Sequence, residues 1–114
     1  MSQFQLRIHF DGLIADLANA DIIIHIEDVS EADAPARELA RHNRRLSVVR
    51  HNDPVVVLEL ERPVAAPGSQ VAVRIHVDRD GDGAISVGDF INTTACPLRS
   101  GSSGGVTDVF VQPI

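Results

Sequence analysis

Four aspartates recur at short intervals in the segment Asp78–Asp89, which reads DRDGDGAISVGD. In a twelve-residue calcium loop, oxygen ligands recur at positions 1, 3, 5, 7, 9 and 12, and glycine at position 6 allows a sharp turn. Here Gly83 occupies position 6 and Ala84 would supply its backbone carbonyl. The segment therefore predicts a Ca²⁺ site whose ligands are Asp78, Asp80, Asp82, Ala84, Ser86 and Asp89.

Two features separate this loop from a helix-loop-helix hand. Position 12 is Asp89 rather than glutamate, and the segments on both sides have the composition of strands. The shorter carboxylate lowers the number of ligand oxygens, so we expect a strand-loop-strand site with a Kd of about 10⁻⁵ to 10⁻³ M. The alternative is a polar hairpin turn that binds no metal, because Asp and Gly also dominate turns. The register of the four aspartates favours calcium, in a structural role.

Other reactive side chains do not form a recognisable catalytic set. The five histidines are His9, His25, His42, His51 and His76, and none has zinc spacing with cysteine or a second histidine. We expect His9, His25 and His76 to be plain strand residues on polar faces, and Cys96 to be a buried, inert thiol. The protein is thus predicted not to be an enzyme. A calcium-dependent hydrolase is the weaker alternative, and it would require a pocket near Asp82 with a histidine within reach.

A local basic patch contrasts with the formal net charge of −6. It contains Arg37, Arg41, Arg44, Arg45 and Arg50, together with His42 and His51. The patch could dock an acidic partner or a phosphate, but a solvated face that offsets nearby Asp and Glu is the favoured interpretation. The acidic balance argues against nonspecific nucleic-acid binding, which requires a dense cationic surface. The shortage of aromatics, four Phe and no Trp or Tyr, argues against stacking platforms for bases or sugars.

Apolar residues alternate with polar ones along most of the chain, which is the period of β-strands. The alternating segments are Gln3–Phe10, Asp21–Asp28, Pro54–Glu61, Gln70–Asp78 and Val106–Gln112. In the last of these, Phe110 lies opposite Val109 and Val111, so we expect a strand covered on both sides. The segment 32–45 has only a thin apolar stripe, which predicts a short strand around Arg37–Arg41 or one helical turn. The pattern as a whole predicts an all-β fold: one domain, residues 1–114, forming a single antiparallel β-sandwich of about seven or eight strands.

Two features of the sequence bear on the cellular compartment of the protein. No apolar run approaches the roughly 20 residues that a membrane span needs, and the first ten residues alternate rather than form a signal-peptide core. We therefore expect a cytoplasmic protein as the sequence is written. A periplasmic or extracellular location is the alternative if the natural chain is longer.

The stretch Asp21–Pro35, DIIIHIEDVSEADAP, resembles a signature of the YbaY-type lipoproteins and YscW-type secretion pilotins. In that family a strand carries V-x-L-x-D-V-S-x-A-D-A-P. The matching residues here are Ile24, Ile26, Asp28, Val29, Ser30, Ala32, Asp33, Ala34 and Pro35. Residues 54–97 also look like the later half of the family. The resemblance implies a compact β-sandwich without enzymatic activity, similar to lipoproteins that help a secretin ring assemble in the outer membrane.

Residue pattern and resemblance together suggest two functions. The first is a noncatalytic calcium-binding module that contacts an unidentified protein partner, through an exposed sheet edge or the arginine patch. The second is a secretion or assembly chaperone of the pilotin type. Neither function involves nucleic acid or a membrane span.

Overall fold

The computed structural model describes residues 3–30, 35–63, 69–79, 81, 85, 87–93, 96–98 and 106–114. Eight strands follow one another along the chain. They are β1 (Gln3–Phe10), β2 (Leu17–Asp28), β3 (Arg37–Val49), β4 (Val55–Glu61), β5 (Val71–Asp78), β6 (Phe90–Ile91), β7 (Cys96–Pro97) and β8 (Val106–Pro113). The described part of the chain contains no helix with the length and hydrophobicity that a membrane span would need. The all-β prediction is confirmed.

The strands follow the order β3-β2-β5-β6-β8-β1-β4, and the short β7 pairs with β5. The two ends of this order, β3 and β4, are consecutive in the chain. They are connected by a tight turn in which Arg50 and Asp53 form an isolated antiparallel bridge. The sheet therefore curls back on itself and is nearly barrel-shaped.

One strand pair departs from the antiparallel arrangement that the sequence predicts. β1 and β8 run parallel, from Gln5 opposite Val106 to Phe10 opposite Val111. A parallel pair needs a long connection between its strands, and here nearly the whole chain lies between them. The local alternation of side chains is the same in both arrangements, so the sequence pattern gave no sign of the direction.

A single hydrophobic core fills the space between the strands. Its fully buried members come from the inward faces of β1, β2, β4, β5 and β8, and include Leu6, Ile8, Ile22, Ile24, Ile26, Leu60, Ile75, Val77, Val109 and Val111. Phe10 and Phe90 meet edge to face with ring centroids 5.4 Å apart. The outward side of β8 is not covered, contrary to expectation: Phe110 is 58% exposed and stacks on His9.

β3 is longer than the sequence predicts, with 13 residues where a short strand around Arg37–Arg41 was expected. It pairs with β2 along its length, with a bulge near Ile26 and Glu27. The residues opposite the buried Ile26, Ile24 and Ile22 are Ala40, His42 and Arg44. Registered partners share a face of the sheet, so the core-facing side of β3 carries the polar residues His42 and Arg44 between the apolar Ala40 and Leu46. This explains why its sequence does not alternate like that of a strand.

Candidate functional site

The predicted calcium loop begins and ends at the mouth of a β-hairpin. Asp78 is the last residue of β5, and Asp89 immediately precedes Phe90, the first residue of β6. The last registered pair of these strands is Val77 opposite Phe90. Asp78 and Asp89 therefore face each other across the neck of the loop. Their residues are only 2% and 1% exposed.

Both carboxylates at the neck accept hydrogen bonds from the loop backbone. Asp78 Oδ1 accepts the N–H of Gly81 at 3.1 Å, and Asp89 Oδ1 accepts the N–H of Arg79 at 3.0 Å. Aspartate side chains that bond to a backbone N–H a few residues further on stabilise tight turns. Gly81 has a φ of +73°, a left-handed conformation that favours glycine. The loop thus turns back sharply towards its own first carboxylate.

His76 also lies at the neck, although we expected an outward-facing strand residue. It is 5% exposed, and its Nε2 is 2.8 Å from Asp89 Oδ2. One potential ligand atom from each of His76, Asp78 and Asp89 lies within 4.8 Å of the other two. The sequence carried a signal for this cluster, because residues i and i+2 of a strand share a face. His76 and Asp78 have that spacing, and a face that carries a histidine beside a loop aspartate could have been recognised.

The remaining members of the predicted ligand set lie outside the described residues. They are Asp80, Asp82, Ala84 and Ser86. The structure therefore brings together two of the six predicted ligands, Asp78 and Asp89, and adds His76 to them. The pocket near Asp82 that a hydrolase would require also falls outside the described part.

Most of the basic patch lies on β3, which is the first strand in the sheet order, whereas Arg50 and His51 lie in the turn that follows it. Two of its arginines pair with carboxylates: Arg41 Nε is 3.2 Å from Glu38 Oε1, and Arg45 Nη1 is 2.9 Å from Asp21 Oδ1. Arg44 donates instead to the backbone carbonyl of Asn43 at 2.9 Å. Part of the patch thus offsets nearby acidic groups, as the favoured interpretation held, while Arg44 stays at the exposed rim of the strand.

A groove connects this basic strand to the neck of the loop. Its volume is about 330 Å³, and its walls are formed by Asp21, Ile23, Asn43, Arg44, Arg45, Asp78 and Gly81. Asp21 lies directly opposite Asp78 in the pairing of β2 with β5. The groove therefore has arginines along one wall and carboxylates along the other.

Histidines and the cysteine elsewhere in the described chain occupy structural contacts. His25 Nδ1 is 2.6 Å from Glu38 Oε1, and His51 Nδ1 is 2.7 Å from Asp16 Oδ1. Hydrogen bonds from the backbone and ring of His51 lower the pKa of Asp16. Cys96 is half-buried, and burial raises the pKa of its thiol. A raised pKa disfavours the thiolate that a nucleophile would need.

Asp108 joins the two parallel strands on their outer face. Its Oδ1 accepts hydrogen bonds from Arg7 Nε and from His9 Nε2, the latter at 2.9 Å. These bonds, that from Arg7 first, lower the pKa of Asp108 to about 2. All three side chains are substantially exposed. The cluster therefore pins β8 to β1 rather than forming an enclosed site.

Two residues of the segment that resembles the pilotin signature, Asp28 and Ser30, make structural hydrogen bonds at the end of β2. Asp28 Oδ1 accepts hydrogen bonds from the N–H of Ser30 at 2.9 Å and from its hydroxyl at 2.6 Å. The Ser30 Oγ in turn accepts the N–H of Gln70 at 2.8 Å. Ser30 thereby ties the end of β2 to the segment that leads into β5. Residues 31–34 of the signature lie outside the described part.

No protein-family model matches the sequence, and no curated protein is significantly similar to it. Among solved structures, the chain is similar to an alternative pilotin from the type II secretion system of Vibrio cholerae. The two chains share 18% sequence identity, the TM-score is 0.71, and the match covers 98% of this chain and 96% of the pilotin. The protein thus has a pilotin-like fold over nearly its whole length.

Proposed function

We propose that this protein is a noncatalytic module that binds a protein partner and assists the assembly of a secretion complex, as a pilotin does. The observation that carries the proposal is the similarity to a pilotin structure, which extends across nearly the whole of both chains. The resemblance of Asp21–Pro35 to the YbaY-type and YscW-type signature supports the same assignment from sequence.

The free edge of β3 is the surface that best suits such a partner. Among the described strands β3 pairs with β2 alone, so the backbone N–H and C=O groups on its other side can pair with an added strand. Arginines project along this strand in a protein whose net charge is otherwise −6. Charge complementarity therefore favours an extended acidic segment as the occupant. The polar inner face of β3, with Arg44 at its rim, extends the same surface towards the sheet interior.

Binding to a secretin tests this proposal. Purified protein is titrated by biolayer interferometry against a secretin from the same genome, at low and moderate salt. We expect specific binding that weakens with salt and falls several-fold in Arg44→Gln. Arg74→Gln is the matched control, because Arg74 lies on β5 and pairs with Glu27 at 3.2 Å. Absence of binding at any salt concentration contradicts the assembly role, and equal losses in both variants contradict the β3 edge.

We propose in addition that the loop Asp78–Asp89 binds a structural calcium ion through Asp78, Asp80, Asp82, Ala84, Ser86 and Asp89. The convergence of the buried Asp78 and Asp89 at the loop neck supports this proposal. A site with a Kd of about 10⁻⁵ to 10⁻³ M fills only where calcium is abundant, so we also propose an extracytoplasmic location.

Thermal unfolding in EGTA, in millimolar calcium and in magnesium tests the calcium site. The expected result is a rise of the midpoint that is selective for calcium and is abolished in the double variant Asp80→Ala with Asp82→Ala. An unchanged midpoint in calcium would mean that the segment is a polar hairpin turn.

A further inference from the structure

The neck of the loop differs from an all-oxygen calcium site because it contains an imidazole. We propose that His76, Asp78 and Asp89 form a binding site for a transition-metal dication of the Zn²⁺ class. The inference rests on the proposal that this loop is a metal site, but it does not require calcium to be the ion. It adds His76 as a ligand and changes the class of metal.

The backbone presents the three side chains to one point. His76 and Asp78 lie two residues apart on β5 and therefore share a face. Asp89 faces them from the opposite side of the loop neck. Their potential ligand atoms already lie within 4.8 Å of one another. Zn²⁺ binds nitrogen and oxygen at about 2.0–2.2 Å, which places ligands of a tetrahedral ion about 3.4 Å apart. Side-chain adjustments of about 1 Å would bring the three ligands to coordination distance, and a water molecule would complete the tetrahedron.

Burial favours a cation at this place. All three residues are at least 95% buried, as their exposures of 5%, 2% and 1% show. Carboxylates held close together away from water repel each other, and a divalent ion reverses that repulsion. The hydrogen bond from His76 to Asp89 holds both groups in orientations that converge, so little rearrangement is needed when the metal replaces the shared proton.

The chemistry of the ligands selects the metal. Calcium and magnesium prefer oxygen ligands, whereas imidazole nitrogen suits zinc and related first-row ions. One imidazole with two carboxylates is a borderline set that a transition-metal dication fits better than a hard ion. Asp78 and Asp89 are shared with the proposed calcium shell, so the two metals should compete for the loop.

Calorimetric titration with Zn²⁺, together with the absorption spectrum of Co²⁺ as a probe, tests this site. His76→Gln keeps a hydrogen-bond donor for Asp89 but removes the imidazole. His25→Gln is the matched control, because His25 is also largely buried on a neighbouring strand and pairs with Glu38. We expect Zn²⁺ to bind one site in the natural protein, with affinity at least tenfold lower in His76→Gln and unchanged in His25→Gln. Excess Ca²⁺ should displace the Zn²⁺.

The outcomes separate this inference from the calcium proposal. A calcium response without Zn²⁺ binding overturns the inference, as does Zn²⁺ binding that is equal in His76→Gln and the natural protein. Zn²⁺ binding that depends on His76, without any calcium response, supports the inference and removes the calcium proposal. If His76→Gln fails to fold, the ring ¹⁵N shift of His76 in the natural protein decides: a shift on adding Zn²⁺ supports ligation, and no shift overturns it.

Discussion

Replacing Asp78 with asparagine should stabilise the metal-free protein. The asparagine side chain would keep an oxygen that accepts the N–H of Gly81, so the turn hydrogen bond at 3.1 Å survives while one buried charge is removed. The ligand atoms of Asp78 and Asp89 lie within 4.8 Å. At that separation two like charges repel by about 0.9 kcal/mol in water and by about 3.5 kcal/mol at an effective dielectric constant of about 20. The free energy of unfolding should therefore rise by about 1–3 kcal/mol.

Thermal and urea unfolding in EDTA measure this effect. For a domain of this size, about 1 kcal/mol corresponds to roughly 4 °C in Tm, so Asp78→Asn should unfold about 4–12 °C above the natural protein. Glu59→Gln, which neutralises an exposed carboxylate on β4, is the control and should stay within about 0.5 kcal/mol.

Metal should reverse this order of stability. With a Kd of about 10⁻⁴ M, calcium at about 10 mM stabilises the natural protein by about 2.7 kcal/mol. Asp78→Asn loses a charged ligand and should gain much less. If Asp78→Asn is less stable than the natural protein in EDTA, the charge of Asp78 stabilises the fold without metal. The interpretation of the neck as a preformed cation site is then refuted.

Three further predictions concern the scaffold. Ile24→Ala, at a fully buried position in β2, should cost about 2–5 kcal/mol in chemical unfolding, whereas Ile14→Ala, at a residue that is 92% exposed, should change stability by less than about 0.5 kcal/mol. Asp108 has a folded pKa of about 2, so its stabilising effect is complete above the unfolded pKa of about 3.9 and is lost as the pH falls towards 2; Asp108→Asn should flatten the acid side of the stability profile, and an unchanged profile contradicts this reasoning. Because burial raises the pKa of Cys96, a disulfide reagent at neutral pH should label it slowly in the native state and several-fold faster in urea.

The sequence predicts strands well where one face is fully apolar. The predicted segment Gln3–Phe10 coincides with β1, and Gln70–Asp78 differs from β5 by one residue. β3 was underestimated because it lies at the end of the strand order, where the core-facing side of a strand can remain polar. His42 and Arg44 occupy that side. The parallel direction of β8 was also missed, because it is set by tertiary packing and leaves no trace in the local period.

The candidate site at the loop neck was predictable from the sequence to about the same extent as the strands. The spacing of aspartates placed Asp78 and Asp89 at the two ends of one loop, and the hairpin geometry brings them together. The period of β5 correctly puts His76 on the side opposite the core residues Ile75 and Val77, but a two-residue period cannot tell whether that side is solvated. The structure buries His76 at the loop neck, where its ring contacts Asp89, a residue 13 positions further along the chain.

The segment that resembles the pilotin signature has a structural role in this fold. Asp28 accepts hydrogen bonds from Ser30, and Ser30 Oγ accepts the backbone N–H of Gln70, so both residues have a structural role at the junction of β2 and β5. A motif with that role can persist among proteins whose partners differ, because any partner surface built on the fold needs the same junction. The features that could distinguish this protein are the cluster of His76, Asp78 and Asp89 at the loop neck and the basic edge of β3. Neither feature belongs to residues 21–30, the described stretch of the signature segment. Both border one groove, so we expect differences in function to arise at that groove.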